Sequence, residues 1–417
     1  MISIKALLVF LMFGLSSCQP TTRSFNNPVD PNKDDKGSPS PATDKTSTSS
    51  TESSTSSCLL GTCNPPVGSV YDFANSFTIT PSGCTGANEP HIFDNGSGLT
   101  IFILANCGQR NAVYFFNTAY NGTSPTNPAS ATLDCNSGTT GVMQYSVDQG
   151  SSGFLLIYKC NQTSGSYVAK TVTIASDGTV GTPTLYESTN SSYSYSVTWN
   201  SSAAAFGVTR YGQFQRYSST GSQLGGPISL GTVNNGTIGA AIVSGGYWMI
   251  IAADPENNYS YCSKINSSGT LQCNQVQIGS GGYAFSEVYS FLNGASSLKV
   301  VDSYRGISDH SLSVSDCTAT SDFNTLDPTN NIKDSTYIQS ALALSSTIAA
   351  AAYKTTNSLI VTTYDINGSA IYSENSVAGY STSLNSWEIK SIQNKIYVAY
   401  DKDGSGYVSY STQAVPQ

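Results

Sequence analysis

The sequence predicts an all-β fold, a ring of seven four-stranded antiparallel sheets, that is, a seven-bladed β-propeller. Three observations carry this. Seven short apolar runs recur, beginning at Leu99, Phe154, Ala203, Tyr247, Ser297, Thr347 and Lys395, at spacings of 55, 49, 44, 50, 50 and 48 residues. A turn rich in Gly, Asn and Ser precedes each run and separates it from another β-like stretch, as in VMQYSVD–QGSSG before Phe154 and FSEVYSFL–NGAS before Ser297. No stretch sustains the i, i+3, i+4 apolar spacing that a helical solenoid of similar period needs. A regular period near fifty residues, with about four strands per unit, is the signature of propeller blades.

The chain opens differently. Lys5 supplies a positive charge, and Ala6 to Leu15 (ALLVFLMFGL) is apolar. That stretch is too short to span a bilayer but suits the hydrophobic part of an export signal. It ends in Leu15-Ser16-Ser17-Cys18. This segment resembles the bacterial lipobox, in which small residues precede a cysteine that is lipidated and becomes the new N-terminus. The resemblance covers about the first 18 residues. It implies a signal peptide over 1–17, a lipid on Cys18 and attachment to a membrane in the cell envelope. Gln19, where an Asp would retain a Gram-negative lipoprotein at the inner membrane, implies the outer membrane. No later run of 18 apolar residues exists, so lipid is the expected anchor.

Residues 18–66 carry the lipidated cysteine and a Ser/Thr/Pro-rich stretch without periodic apolar positions. Such a segment cannot bury enough surface to offset the entropy of ordering, and is expected to be a disordered tether. The propeller is expected over 67–417. Ser69 to Thr80 (SVYDFANSFTIT) is strand-like and belongs to no repeat, whereas the last repeat stops after Gly406-Tyr407-Val408-Ser409-Tyr410 without a fourth strand. The first segment is therefore expected to complete the last sheet and close the ring, which removes an exposed edge.

Within the repeats the strands are lettered A to D from the centre outward. The continuous apolar runs are then strand B, buried on both faces between neighbouring sheets. Four repeats carry a similar C–D turn: Ser176-Asp177-Gly178-Thr179, Ser219-Thr220-Gly221-Ser222, Ser267-Ser268-Gly269-Thr270 and Ile366-Asn367-Gly368-Ser369. Glycine there suits the positive φ of tight hairpins.

Ten cysteines are present, nine beyond Cys18. An exported protein meets an oxidising compartment, so pairing is expected. Cys262 and Cys273 lie symmetrically about the Asn266–Gly269 turn and are expected to bridge. Cys58 and Cys63 can close a small loop. Cys84–Cys107 and Cys135–Cys160 would each link a D–A connection to the following B–C loop. Cys317 is left as a free thiol.

Composition limits the chemistry. Charged residues are 11% of the chain, the net charge is −8, and there is no basic run, which makes nucleic acid an unfit partner. With two histidines, His91 and His310, and without HExxH, paired CxxC or a phosphate loop, the usual parts for zinc or nucleotide chemistry are missing. No cofactor or metal is expected. Asp401-Lys402-Asp403-Gly404-Ser405-Gly406 resembles a fragment of a calcium loop but lacks a third acid and a closing Glu, so a plain Asp-Gly hairpin is the better reading. Asp309-His310 beside Ser311 or Ser313 does not make a triad, because adjacent strand residues point to opposite faces.

Charge gathers instead at the predicted B–C loops, which a propeller brings to one face. These hold Arg110, Lys159, Arg210, Asp254, Glu256, Asp302, Arg305, Asp309, Lys354, Asp401, Lys402 and Asp403, with Tyr158, Tyr211, Tyr304, Tyr353 and Tyr400 alongside. Tyrosines flanked by charges suit glycans or polar peptides. The expectation is a monomeric, non-catalytic binding or scaffold propeller, tethered to a membrane and taking a protein or glycan at that face. Reversing Arg110, Lys159 and Arg210 to Glu should then abolish capture without lowering the melting temperature. One alternative is a propeller glycosidase or lyase using acids such as Asp254, Glu256, Asp302 and Asp403, although no sialidase-like Asp-box repeat is present. Another is an envelope-assembly scaffold, similar to the eight-bladed propeller lipoprotein of the outer-membrane barrel machinery.

Overall fold

The computed structural model describes residues 71–414 with interruptions, the longest at 232–237, 280–287 and 326–337. The signal, the tether, Cys18, Cys58 and Cys63 lie outside the described residues. Among the described residues every regular element is a strand. In chain order these are β1 (Asn75–Thr78), β2 (Thr85–Asp94), β3 (Leu99–Asn106), β4 (Asn111–Thr118), β5 (Ala129–Ser130), β6 (Thr139–Gly150), β7 (Gly153–Gln162), β8 (Tyr167–Ala175) and β9 (Thr184–Thr189). There follow β10 (Tyr195–Asn200), β11 (Ala205–Arg210), β12 (Gln213–Ser218), β13 (Gln223–Ser229), β14 (Ile238–Ser244), β15 (Tyr247–Asp254), β16 (Tyr259–Ile265), β17 (Leu271–Gly279), β18 (Val288–Asn293) and β19 (Ser297–Asp302). The last are β20 (Ser308–Ser313), β21 (Ala319–Thr325), β22 (Ile338–Ala343), β23 (Ile348–Lys354), β24 (Ser358–Asp365), β25 (Ile371–Gly379), β26 (Trp387–Ile392), β27 (Lys395–Lys402) and β28 (Ser405–Tyr410).

The seven apolar runs are the strands β3, β7, β11, β15, β19, β23 and β27. Their unbroken hydrophobicity follows from burial on two sides. In β3, Phe102 and Leu104 pack with Val147, Phe154 and Leu156 of the following repeat. The alternate residues Leu99, Ile101 and Ile103 pack with Ile392, Tyr397 and Val408 of the last repeat. Strand β7 divides the same way: Phe154 and Leu156 face back, while Leu155 and Ile157 meet Val197, Phe206 and Val208 ahead. The core is thus a set of layers between sheets, and each fully buried aliphatic or aromatic side chain contributes roughly 1.5–3 kcal/mol.

The sheets differ from the expected seven separate units. Among the described residues there are six: five of four strands and one of eight, ordered β2-β3-β4-β6-β7-β8-β9 with β5 on β4. Two expected modules are fused by one parallel pairing, Asn111 with Gly141. Gly141, at φ +104, permits this approach, because a Cβ there would lie 2.7 Å from the Asn111 nitrogen. The opening strands neighbour one another in turn, β2 with β6, β6 with β10, then β14, β18, β22 and β26, and β26 lies beside β2. The arrangement is propeller-like.

Strand β1 forms the outer edge of the last sheet, in the order β1-β28-β27-β26, as expected of the segment before the repeats. It pairs Phe77 with Val408 and Thr78 with Tyr407. Three described C–D turns share one geometry. In the first, Ala175 N donates to Thr179 O at 2.9 Å and Gly178 N to Ala175 O at 2.9 Å, with Gly178 at φ +88.

Cys84–Cys107 and Cys135–Cys160 are bonded as expected. The other two cysteine expectations are corrected. Cys262 bonds Cys317, not Cys273, so Cys317 is no free thiol. The cause is register: bulges in the β16–β17 hairpin place Cys273 opposite Lys264 and Cys262 opposite Val276. An extra residue on one strand turns the expected partners away from each other. Cys273 is itself disulfide-bonded.

Candidate functional site

Among the described residues β26, β2 and β10 are edges of their sheets, and β6 meets β4 only at Asn111–Gly141, so N–H groups on one side of each strand lack a partner from a further strand. Unpaired buried N–H groups are costly. Here acidic side chains of one opening strand serve the next. Glu388 of β26 accepts from Ile92 N of β2 at 2.9 Å. Glu89 of β2 accepts from Tyr145 N of β6 at 3.2 Å, and Asp148 of β6 from Trp199 N of β10 at 2.6 Å. The same strands alternate, so that Trp387 and Ile389 enter the core while Glu388 and Lys390 face the other way.

The result is a polar cluster where β26, β2 and β6 converge. Glu388 Oε1 lies 3.4 Å from His91 Nδ1 and 3.1 Å from Lys390 Nζ. The Tyr145 ring meets His91 edge-on at 5.2 Å between centroids, and its hydroxyl donates to the Glu89 carbonyl. Accessibility is not lost: the His91 and Lys390 side chains remain 27% and 38% exposed, against 16% for Glu388.

Electrostatics separate the three acids. Burial acts to raise the Glu388 pKa, but the charges of Lys390 and His91, with hydrogen bonds from His91 and Ile92 N, overcome it and hold it at about 2. Burial pushes Glu89 up to about 7, against the Tyr145 N–H and the charges of His91 and Lys159. Burial also raises Asp148, opposed by Lys390 and by the N–H groups of Trp199 and Gln149. Burial works against the Lys390 ammonium, yet Glu388 and Asp148 lift its pKa above the ordinary value.

Glu89 departs from its two counterparts. Its backbone is left-handed, at φ 49, and it sits where the β2–β3 register shifts between Asn88 and His91. A bulge re-aims side chains, and a non-glycine residue at positive φ is costly. Both oxygens of Glu388 and of Asp148 have protein partners. Of the Glu89 carboxylate, only Oε2 has one among the described residues.

The residues read as a binding face are placed otherwise. Arg110 Nη1 donates to Cys135 O at 3.3 Å, Lys159 Nζ to Tyr193 O at 2.9 Å, and Lys354 Nζ to Leu384 O at 2.7 Å. Each fastens the connection that leads into the next opening strand, β6, β10 or β26. Lys159 is 4% exposed, stacks over Tyr167 and has its pKa lowered by burial. Arg210 pairs with Glu187 at 3.1 Å and with Gln213 at 2.6 Å. Tyr158, Tyr353 and Tyr400 are core residues. Asp401 accepts from Asn385 N at 3.1 Å and Ser386 Oγ at 2.9 Å, and Asp403 from Ser383 Oγ at 3.0 Å. Asp403 and Gly404, at φ 53 and 75, form a two-residue hairpin turn. No group of three metal-ligating side chains occurs among the described residues. Asp254, Asp302 and Asp309 lie on β15, β19 and β20, and their side chains, with all of Tyr211, Glu256, Tyr304 and Arg305, lie outside the described residues.

The charged loops drew the sequence reading outward, whereas the cluster sits on strand A. Its signal was present: Glu388 and Lys390 in WEIKSI, Asp148 in YSVDQG, and Glu89 and His91 in NEPHIF put charge at the polar positions of alternating strands in a chain poor in charge.

No family model matches the chain, and no curated protein matches it. Solved structures resemble it in fold. A candidate 6-phosphogluconolactonase from Bacteroides fragilis matches with TM-score 0.48 and 11% identity, over 76% of this chain and 95% of that one. The NanB sialidase of Streptococcus pneumoniae matches with TM-score 0.44 and 12% identity, over 81% and 70%. Prolyl oligopeptidase B of Galerina marginata matches with TM-score 0.47 and 9% identity, over 75% of this chain and 47% of that one. At these values the likeness concerns the fold alone.

Proposed function

We propose that the chain is an exported, lipid-anchored binding protein whose axial cluster captures a carbohydrate chain. In this reading Cys18 carries the lipid, residues 18–66 are a tether to the outer membrane, and the eight-stranded sheet counts as two modules of a seven-module ring. The sequence motif supports the anchor. Three disulfides fit an oxidising compartment outside the cytoplasm.

The observation that carries the ligand reading is the convergence of Glu89, His91, Tyr145, Asp148, Glu388 and Lys390 from three opening strands. It offers donors, acceptors and an aromatic edge in one partly accessible cluster. Such a mixture matches the alternating hydroxyls and apolar ring faces of a sugar better than it matches a single charge. The charged rim is given a different task, because Arg110, Lys159, Lys354, Arg210, Asp401 and Asp403 are engaged in holding connections and hairpins together.

The test is capture on an array of bacterial and host oligosaccharides by the full purified protein. Lys390→Met and His91→Ala should each lower capture at least tenfold, and Lys402→Met should not. Capture unaffected by both axial substitutions rejects this site. The anchor is tested by labelling cells with radioactive palmitate, where Cys18→Ser should abolish incorporation.

A further inference from the structure

The stretch after β1 carries the chain from the last sheet to the first. Ile79 N donates to Gly406 O at 2.8 Å, Gly406 N to Thr80 Oγ1 at 2.7 Å and Ala87 N to Gly404 O at 3.0 Å. Glu89 N donates to Ser386 Oγ at 2.7 Å. Residues 79 to 89 thus reach across to the β27–β28 hairpin and to the turn before β26. Their hold on their own sheet is interrupted. The β2–β3 register shifts between Thr85 and Asn88 and again between Asn88 and His91, and the ladder runs unbroken from His91, opposite Phe102, onward. Such shifts leave ladder groups unpaired. Cys84 stands in the middle of this stretch, and its bond to Cys107 ties it to the residue after β3. This bridge also differs in access from the other two described bridges. Cys135, Cys160, Cys262 and Cys317 are at most 1% exposed. Cys84 and Cys107 are half-buried at the margin of the cluster around Ile79, Ile103 and Val408, and Ser82, Gly83, Thr85, Gly86 and Gly108 beside them are exposed. Access is one of the factors that set the rate of thiol–disulfide exchange.

We propose that Cys84–Cys107 is a thiol-exchange site that sets how firmly the last sheet is joined to the first. The co-reactant is a small thiol. Its thiolate attacks one of the two sulfurs, and the Cys84–Cys107 bond breaks as a mixed disulfide forms. The other sulfur leaves as a thiolate and takes up the proton that the attacking thiol gave up. A second thiol attacks the mixed disulfide and departs joined to the first. The protein gains two electrons and two protons, and the two thiols, now one disulfide, lose them. Strand β1 pairs with β28 over four residues, so its end is the first place for the seam to fray. With the bond closed, fraying halts at Cys84. With the bond open, it runs past Thr85 and Asn88 to the unbroken ladder at His91 and takes the contacts of Ile79, Thr80 and Ala87 with it. Oxidation re-forms the bond, because Thr85 opposite Asn106 keeps the two cysteines adjacent. None of the side chains assigned to ligand capture takes part, so the site is independent of the carbohydrate reading.

The experiment uses the full oxidised chain and a series of glutathione concentrations. Thiols freed at each step are blocked with iodoacetamide and located by peptide mapping, and amide hydrogen exchange is read on the same samples by mass spectrometry. Cys84 and Cys107 should be labelled at a glutathione concentration roughly tenfold below that needed for Cys135, Cys160, Cys262 or Cys317. At that point the amides of residues 75–90 and of β28 should exchange about tenfold faster, while those of β7 and β8 stay unchanged. Oxidised glutathione should then restore protection. The double substitution Cys84→Ser and Cys107→Ser should reproduce the open pattern without reductant. Reduction of the already folded wild type gives the same reading if that variant fails to fold. Labelling of a buried bridge first, or of all three bridges together, overturns the proposal. So does unchanged or uniformly faster exchange once Cys84 and Cys107 are labelled.

Discussion

Glu388→Gln tests whether the axial cluster is held by charge. In the folded chain the Glu388 carboxyl titrates at about 2 instead of its ordinary 4.5. At about 1.4 kcal/mol per tenfold change in the proton equilibrium, that difference corresponds to about 3 kcal/mol. Little discount for solvent is needed, since the side chain is 16% exposed. The sign follows from the direction of the shift. A depressed carboxyl pKa stabilises the fold fully above the unfolded value, and the contribution fades as pH falls from 4.5 through about 2. The glutamine can still accept from Ile92 N but cannot pair with Lys390 and His91. Urea unfolding at pH 7 should therefore show the variant less stable by about 3 kcal/mol, a gap that narrows below pH 4.5 to about 1 kcal/mol at pH 2.5. An equal loss at pH 7 and pH 2.5 would refute the electrostatic account and leave only packing.

Glu89→Gln should have the opposite signature. A carboxyl raised to about 7 favours folding below the unfolded value of 4.5 and opposes it as pH rises through 7, so the variant should gain stability over wild type at pH 8 and match it at pH 4 in thermal melts. Reversing Arg110, Lys159 and Arg210 to Glu together should lower the melting temperature markedly, because the chain connections they fasten lose charged donors worth about 1.5–3 kcal/mol each; an unchanged melt would restore the rim as a ligand face. Cys317→Ala should cost about 4 kcal/mol in the chain-entropy account, given the separation of 55 residues from Cys262. Peptide mapping of the oxidised protein should recover the Cys262–Cys317 bridge, and a Cys262–Cys273 peptide would reject it.

The strands were legible because burial on two faces leaves a mark in the chain. Strand β3 reads as LTIFILA since its odd residues meet the last repeat and its even ones the next. The closing strand was legible by arithmetic, an unassigned β-like segment at one end and a missing one at the other. The Cys262 partner was not legible, because a bulge shifts pairing without changing composition and symmetry about a turn presumes an unbroken ladder. Nor was the fusion of two modules, which depends on one glycine letting β6 approach β4. The axial cluster was half legible. Charges on alternating strands were visible, but their convergence required the ring, and Glu89 required a bulge that no pattern of apolar residues announces.

The rim and the axis make opposite demands on charge. At the rim, Lys159 and Lys354 donate to backbone carbonyls of the connections that lead into the next opening strand. At the axis the groups to be satisfied are N–H groups of strand edges, so the caps must be acceptors, and carboxylates are the strongest acceptors available. Stitching with Glu388, Glu89 and Asp148 necessarily gathers negative charge in one place, where repulsion and burial raise the cost of ionising all three. Lys390 and His91 overcome that cost at Glu388, whereas at Glu89 His91 only reduces it and at Asp148 Lys390 only reduces it. The remaining burden falls on Glu89 and Asp148, which titrate above their ordinary values. Neighbouring carboxyl groups of unequal acidity are thus a consequence of how the opening strands are joined. A ligand-binding role needs only that Glu89 Oε1, which has no partner among the described residues, meet a donor of the ligand.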